Sequence, residues 1–286
     1  ESWPKLAQQI GVPEGTLSQW VPGTYNGGKI YEKHDIAAAV DRYFRSIEER
    51  DELTAALPVA PGFQMTTSAQ RMMTCLALAQ LGDITMISTP PGCGKTMVLE
   101  QYRETRSNVF LATISKSTGA VMPVLARVLK AMGVPDAKGS PYALTTMIID
   151  KVRGIQAVIL IDEAQHLTEQ SFEELRAIHD ATGCGVVFSG DDKLPPLLKQ
   201  HAQLHSRIGA RHVQKRPEAE DVALVASAWG LNGKAELSEF HAIAQKPGGL
   251  RRASKTMVLA ARAAAGQPVT VTDIRDAHAQ RYAEAS

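Results

Sequence analysis

The segment at residues 89–96, Thr-Pro-Pro-Gly-Cys-Gly-Lys-Thr, constrains the fold of this chain more than any other part of the sequence. It follows a short apolar run at 84–88 and precedes a helical pattern at 97–102, so a strand, a glycine-rich turn and a helix come in succession. Glycines let backbone N–H groups close around phosphates, and a helix N-terminus adds a favourable dipole. The segment therefore predicts a phosphate-binding loop of the Walker A type.

Individual residues of this loop have expected tasks. Lys95 is expected to reach the β- and γ-phosphates of a nucleotide, and the Thr96 hydroxyl to contact Mg²⁺. Thr89 stands where the motif usually begins with glycine, a change that a position at negative φ tolerates. The predicted nucleotide-binding residues of the loop are Pro91, Gly92, Cys93, Gly94, Lys95, Thr96 and Met97.

A second motif follows further along the chain. The apolar, β-branched run at 157–161 is typical of a strand buried on both faces of a parallel sheet, and it ends in Asp162 and Glu163. Asp162 is expected to hold Mg²⁺ through water, and Glu163 to orient and deprotonate the attacking water. With the phosphate loop, this Walker B pattern predicts a P-loop NTPase that uses ATP.

Composition limits the class of protein. The 286 residues are 44% hydrophobic and 21% charged, which is ordinary for a soluble globular chain of about two or three domains. The net charge of +1 means that any nucleic-acid affinity must come from local patches. Three cysteines without metal-ligand spacing suit a reducing cytoplasm, and no membrane span or signal peptide is visible. Because the chain begins at Glu1, we expect an N-terminal piece outside this numbering.

Patterns along the chain predict an α/β fold class with flanking helical domains. Residues 1–57 are predicted to be a helix-turn-helix domain and 58–63 a linker. Residues 64–216 alternate strands and helices, which is typical of a parallel, doubly wound sheet. Residues 217–286 are predicted to form a small helical bundle, or lid. Strands are expected at 84–88, 109–114, 157–161 and 185–190.

The helix-turn-helix prediction depends on spacing near the N-terminus. Apolar or small residues recur between 6 and 20, with Gly11 at the turn. The second helix would then direct Thr16, Ser18 and Gln19 outward, to a DNA groove. The alternative is a helical hairpin that touches no DNA.

Three further positions suit an ATPase that works between subunits. Asp191 ends the strand that follows the Walker B strand, where a polar side chain can contact the γ-phosphate or the water. Arg207 or Arg211 lies just beyond the core and could stabilise transition-state charge at a neighbour's nucleotide. Arg251 begins a helix of the bundle and could fold over the phosphates. For each arginine, a solvated surface charge is the alternative.

The arrangement resembles the AAA+ ATPases, because these positions match the sensor 1, arginine finger and sensor 2 motifs. Over nearly all of the chain it is similar to the phage Mu transposition protein B family, the ATP-dependent target-DNA activators. The segments that carry this resemblance are Gly15-Thr16-Leu17-Ser18, Tyr25-Asn26-Gly27, Ile161-Asp162-Glu163-Ala164-Gln165-His166-Leu167, Leu204-His205-Ser206-Arg207-Ile208 and Gly249-Leu250-Arg251.

The resemblance implies a mechanism. ATP with Mg²⁺ would drive head-to-tail assembly of a helical homo-oligomer on double-stranded DNA, with little sequence preference, in the cytoplasm of a bacterial host. The oligomer would present target DNA to a transposase and stimulate it, and hydrolysis would release subunits. The residues implied in catalysis are Lys95, Glu163, Asp191, Arg207 and Arg251.

A sequence-independent filament needs basic side chains on DNA phosphates. Lys116, Lys151 and Arg153 are candidates, because loops at their positions can face an oligomer's bore. Plain surface charge is the alternative for all three.

One departure from the family pattern concerns sensor 1, where Asp191 stands in place of the usual Asn. A carboxylate facing the γ-phosphate would repel it. Either Asp191 points away and Ser189 substitutes for it, or hydrolysis is slow.

Other functions remain open. The Asp-Glu-Ala-Gln-His sequence looks like a helicase box, but about 120 residues after it are too few for a second RecA-like domain. An AAA+ loader or remodeller acting on a helicase or another protein is a closer rival. A helix-turn-helix repressor with a nucleotide switch is the non-enzymatic alternative.

Overall fold

The computed structural model describes residues 2–27, 32–55 and 58–282. The chain divides into two compact units, one up to Val59 and one from Ala60 onward. No helix in the described ranges combines the length and the apolar character that crossing a membrane requires.

The first unit is helical. It contains α1 (Trp3–Ile10), α2 (Glu14–Trp20) and α3 (Lys33–Ala55). Gly11 ends α1 in the left-handed region at φ 81°, which lets the chain turn into α2. The residues buried between the three helices are Ala7, Val12, Leu17, Ile36 and Ala39. This packing uses the apolar spacing seen in the sequence, while DNA binding by α2 stays a prediction.

The second unit is built on a parallel sheet, as predicted. Its strands are β1 (Ile84–Ser88), β2 (Val109–Thr113), β3 (Val158–Asp162), β4 (Gly185–Gly190) and β5 (Ile208–Val213), in the spatial order β2-β3-β4-β1-β5. Every pairing in this sheet is parallel. The carboxyl ends of the strands therefore meet at one edge, where Walker motifs belong.

The fifth strand was not predicted from the sequence. β5 lies at the edge of the sheet beside β1, so its side chains alternate between buried and exposed instead of forming a continuous apolar run. Arg211 therefore lies within the sheet's edge strand, whereas the sequence placed it just beyond the core.

Helices cover both faces of the sheet. They are α4 (Thr67–Gln80), α5 (Lys95–Thr105), α6 (Val121–Ala131), α7 (Pro141–Val152), α8 (Glu169–Thr182), α9 (Leu194–Gln200) and α10 (Ala202–Arg207). Along β3, Val158 and Leu160 pack into the layer with α4 and α5, while Ile159 and Ile161 pack into the opposite layer with α6 to α8. Burial on both faces explains the continuous apolar run, and it places Asp162 at the carboxyl end of the strand.

The predicted helical C-terminal region is confirmed. It consists of α11 (Ala219–Ala228), α12 (Lys234–Ala244), α13 (Gly249–Ala263) and α14 (Val271–Tyr282), which share one apolar cluster. The buried Asp221 of α11 accepts a hydrogen bond from the Ser68 backbone N–H at 3.2 Å, near the start of α4. Arg71 of α4 pairs with Glu218 at 2.7 Å. These contacts dock α11 onto α4. The division at 216 and 217 stays a prediction.

Candidate nucleotide-binding site

The phosphate loop has the backbone that its glycines predict. Gly92 and Gly94 have φ values of +88° and +89°, in the left-handed region that favours glycine, and Gly94 caps the N-terminus of α5. A Cβ at Gly92 would lie 1.9 Å from the Gly248 carbonyl oxygen. Glycine is therefore needed at position 92 both for its conformation and for the close approach of the C-terminal helices.

Lys95 is buried at the base of the loop. Its Nζ donates a hydrogen bond to the Thr89 carbonyl oxygen at 2.6 Å. Burial lowers the pKa of Lys95, and the nearby Glu163 and Asp162 carboxylates oppose that shift. Thr89 is outside the left-handed region, so the missing first glycine costs no backbone strain. The ammonium group is held at the loop, close to where phosphates would enter.

Asp162 joins two hydroxyl groups at the end of β3. Its Oδ2 accepts a hydrogen bond from Thr96 Oγ1 at 2.9 Å, and its Oδ1 accepts one from Ser189 Oγ at 3.2 Å. Burial raises the pKa of Asp162, while the hydrogen bond from Thr96 lowers it. A hydroxyl beside a carboxylate is an oxygen donor set that suits Mg²⁺, which is usually completed by substrate phosphates and water. Over the described residues, no group of three His, Cys, Asp or Glu forms a larger metal site.

Glu163 lies beside this pair in an unusual backbone conformation. Its φ of +56° is in the left-handed region, rare for a residue with a side chain. Its Oε2 accepts a hydrogen bond from Gln165 Nε2. The Gln165 Oε1 in turn accepts one from the Asp191 backbone N–H at 3.2 Å. Gln165 lies in the Walker B segment, but no local pattern in the sequence marks it for a role.

Asp191 directs its carboxylate toward its own loop. Its Oδ1 accepts a hydrogen bond from the Lys193 backbone N–H at 3.0 Å, and its carbonyl oxygen accepts one from Ser88 Oγ at 2.8 Å. Ser189, two residues earlier, is buried and bonded to Asp162. This geometry favours the alternative in which Asp191 points away and Ser189 supplies the polar group.

A cavity of about 340 Å³ opens from the phosphate loop. Glu163 lies on its wall, and so do the C-terminal residues Val225, Trp229, Leu250, Arg251, Ser254, Lys255 and Val258. A remaining part of the wall comes from Ala60, Pro61, Gly62, Phe63 and Gln64. Residues 58–63 were predicted to be a linker. Residues 60–63 of that segment line the cavity. Phe63 and Trp229 are isolated aromatic residues, far apart in the chain, and no local spacing marks them as partners.

The predicted arginines occupy two different settings. Arg251 lies on the cavity wall, and its backbone N–H donates to the Gly92 carbonyl oxygen at 3.2 Å. Arg207, at the end of α10, forms an ion pair with Asp180 at 3.0 Å. Arg211 donates to the His205 carbonyl oxygen at 3.0 Å. Neither Arg207 nor Arg211 lines the cavity, so neither is placed to serve the nucleotide site of its own chain.

The predicted DNA-contacting residues are at the surface. Lys116 lies in a 3₁₀ turn at Lys116–Thr118, and Lys151 and Arg153 lie at the end of α7; all three are exposed. On α2, Ser18 and Gln19 are exposed and Thr16 is half-buried. The α2 residues belong to the first unit, and Lys116, Lys151 and Arg153 belong to the second.

Comparison with known proteins gives the family. A family model described as an AAA domain matches residues 80–198, and one described as the C-terminal part of the Mu B transposition protein matches 206–280. The ATP-dependent target DNA activator B of Escherichia phage Mu is 30% identical over 276 residues, which cover 94% of this chain and 86% of that protein. The chain belongs to the Mu B transposition protein family. The prophage FluMu DNA transposition protein B of Haemophilus influenzae is 28% identical over 261 residues, 88% of each chain.

Solved structures agree on the fold. The ORC2 protein of Aeropyrum pernix matches with a TM-score of 0.58 and 16% identity, over 79% of this chain and 70% of that one. The ORC1 protein of the same organism, solved in complex with DNA, matches with a TM-score of 0.57 and 18% identity, over 78% and 66%. The protein is an AAA+ ATPase with a helical C-terminal region.

Proposed function

We propose that this member of the Mu B transposition protein family assembles with ATP as a helical, head-to-tail oligomer on double-stranded DNA and presents that DNA to a transposase. Its relatives are named ATP-dependent target DNA activators, which supports the use of DNA. The observation that supports an oligomer is that Arg207 and Arg211 lie outside the cavity of their own chain. A head-to-tail interface that does not close would generate a filament. Its place of action would be DNA in the bacterial cytoplasm.

The proposed hydrolysis uses the residues around the cavity. Lys95 would bind the β- and γ-phosphates, and Arg251 would neutralise charge from the opposite wall. Thr96 and Asp162 would hold Mg²⁺, which when bound would neutralise phosphate charge. Glu163 would accept a proton from the water that attacks the γ-phosphorus, while the bond from that phosphorus to the β-phosphate oxygen breaks and ADP leaves.

The proposed DNA contacts are electrostatic. Lys116, Lys151 and Arg153 would lie along DNA phosphates, which accounts for binding with little sequence preference. Exposed polar side chains of α2, Ser18 and Gln19 with the half-buried Thr16, would add contacts from the first unit. Because contacts to phosphates release the counterions of the DNA, we expect this binding to weaken steeply as salt is raised.

The experiment is co-sedimentation with long random-sequence duplex DNA, with and without ATP and Mg²⁺, followed by negative-stain microscopy. We expect pelleting only with ATP, as regular filaments. Lys95→Ala is the control that should lose nucleotide-dependent pelleting. Pelleting that ignores ATP and follows one DNA sequence would support the repressor, and failure to assemble on bare DNA would support a loader of another protein.

A further inference from the structure

Gln165 connects two loops that border the nucleotide cavity. Through Nε2 it donates to Glu163 Oε2, and through Oε1 it accepts from the Asp191 backbone N–H at 3.2 Å. One side-chain amide therefore spans from the end of β3 to the end of β4. Because each end of the amide has its own partner, the side chain cannot rotate without losing both hydrogen bonds.

The Asp191 end of this connection is anchored. The Asp191 carbonyl oxygen accepts from Ser88 Oγ at 2.8 Å, and its carboxylate accepts from the Lys193 N–H at 3.0 Å. A Cβ at Gly190 would lie 2.5 Å from Gln165 Oε1, so a larger residue at this position would displace the amide. One end of the Gln165 amide is thus hydrogen-bonded to an anchored loop, and the other end is hydrogen-bonded to Glu163.

The hydrogen bond from Gln165 occupies one carboxylate oxygen of Glu163 and leaves the other for proton transfer. Gln165 engages Oε2, so Oε1 is the oxygen that could accept a proton from water. The backbone at Glu163 is in the left-handed region at φ +56°, a conformation that costs energy and persists where its surroundings hold it. Glu163 also lies on the cavity wall. Its carboxylate is therefore held by a side chain whose other contact is the loop after β4.

We propose that Gln165 is a positioning residue for ATP hydrolysis, which orients the Glu163 carboxylate toward the attacking water. The inference rests on the proposed role of Glu163 as the base. Orientation of a base by a neighbouring hydrogen bond raises the turnover rate without adding to the binding of substrate. Loss of Gln165 should therefore lower kcat and leave ATP affinity unchanged.

The test uses two variants of Gln165 in the full chain, with kcat, KM and ATP affinity measured with DNA present. Gln165→Met keeps the volume and removes both hydrogen bonds, so we expect kcat to fall about 10- to 100-fold with ATP affinity within twofold. Gln165→Glu keeps an acceptor for the Asp191 N–H but sets a carboxylate against Glu163. We expect its kcat to fall as well, because the like charge would turn the Glu163 carboxylate away from its position.

Two controls separate the possible failures. Gln170→Glu makes the same charge change on the exposed first turn of α8 and should behave as wild type. Glu163→Gln tests the base itself. If Glu163→Gln turns over at the wild-type rate, the role of Glu163 fails and Gln165 fails with it. If Glu163→Gln is inactive while both Gln165 variants match wild type, only the positioning role is overturned. A fall in kcat that comes with an equal loss of ATP affinity also overturns it.

Discussion

Two ionisable side chains of the candidate nucleotide site, Lys95 and Asp162, are buried. Burial lowers the pKa of Lys95 and raises the pKa of Asp162, so in each case the charged form is disfavoured. A triphosphate supplies negative charge to Lys95, and a cation supplies positive charge to Asp162. Because the ligands stabilise the charged forms of Lys95 and Asp162, the burial that disfavours these forms in the free protein increases the affinity for nucleotide and Mg²⁺.

Replacing Glu163 should separate binding from turnover. Glu163→Gln keeps the size of the side chain and removes its capacity to accept a proton. We expect ATP binding and ATP-dependent DNA assembly to persist while kcat falls about 10²- to 10⁴-fold. Fluorescent-nucleotide titration and phosphate release measure the two properties. A variant that binds ATP but no longer assembles on DNA would contradict the assignment.

Trp229 is expected to contribute affinity for nucleotide from the cavity wall. It lines the cavity from the end of α11, and Trp229→Ala would remove an aromatic surface from a bound base. We expect the Kd for ATP to rise about tenfold. Trp3→Ala, on α1 with 45% of Trp3 exposed, is the matched control and should leave the Kd unchanged.

At the scale of elements, Gly119 connects the 3₁₀ turn that contains Lys116 to the segment after β3. The Gly119 carbonyl oxygen accepts from the Thr168 N–H at 3.0 Å and from Ser171 Oγ at 2.7 Å. A Cβ on Gly119 would lie 1.8 Å from the His166 carbonyl oxygen. The proposed DNA loop and the segment that begins with Glu163 are therefore in direct backbone contact.

Gly119→Ala tests this contact. The added methyl group must push the two backbones apart, so we expect a loss of stability of about 1–3 kcal/mol and loss of DNA-stimulated hydrolysis. Gly15→Ala is the control, because nothing lies within 4 Å of its Cβ position in α2, and it should be neutral or slightly stabilising. Denaturant unfolding and ATPase rates with and without DNA measure both effects. Full stimulation of Gly119→Ala by DNA would show that this contact does not transmit it.

The edge strand β5 contains a buried histidine that makes stability depend on pH. Burial lowers the pKa of His212, and the neighbouring Gln214 side chain opposes this shift. Its Nε2 is buried without a hydrogen-bond partner among the described residues. In the unfolded chain histidine titrates near about 6.5, so below that pH the unfolded state binds more protons than the folded state. The free energy of unfolding should therefore decrease as pH falls below about 6.5.

His212→Gln removes this titration and should flatten that decrease. The measurement is urea unfolding at several values between pH 5 and pH 8, with the slopes compared between variants. Equal slopes for wild type and His212→Gln would exclude His212 as the source.

At the scale of the whole molecule, the position of Arg207 bears on whether a second copy of the chain completes the ATPase site. Its ion pair with Asp180 joins side chains that are 53% and 28% exposed, and such pairs contribute about 1 kcal/mol or less. Releasing Arg207 toward a neighbouring chain would therefore cost little. An ATPase site completed by a second copy would make hydrolysis depend on assembly.

Mixing two inactive variants tests completion in trans. Arg207→Ala retains Glu163, and Glu163→Gln retains Arg207, so an interface that takes one residue from each chain would be complete. In an equal mixture on DNA we expect about a quarter of the wild-type rate, from random neighbours in a head-to-tail assembly. No recovery on mixing would exclude Arg207 as the finger, and the same experiment with Arg211→Ala would then test the second arginine.

Sequence patterns alone predicted much of this molecule. The phosphate loop, the buried β3 strand that ends in Asp162 and Glu163, the parallel sheet and the helical C-terminal region all followed from local periodicity and glycine placement. These features are encoded by neighbouring residues, because backbone conformation and the alternation of buried faces depend on short stretches of chain. The family resemblance rested on motif order, which is also a property of the linear sequence.

The tertiary structure alone decided how separate segments meet. It placed β5 at the sheet edge, brought Phe63 and Trp229 to one cavity and set Gln165 between two loops. Each of these contacts joins residues from different elements, and their distances depend on how helices and strands pack. Local periodicity determines which face of an element is buried, whereas long-range packing determines which side chain it meets there.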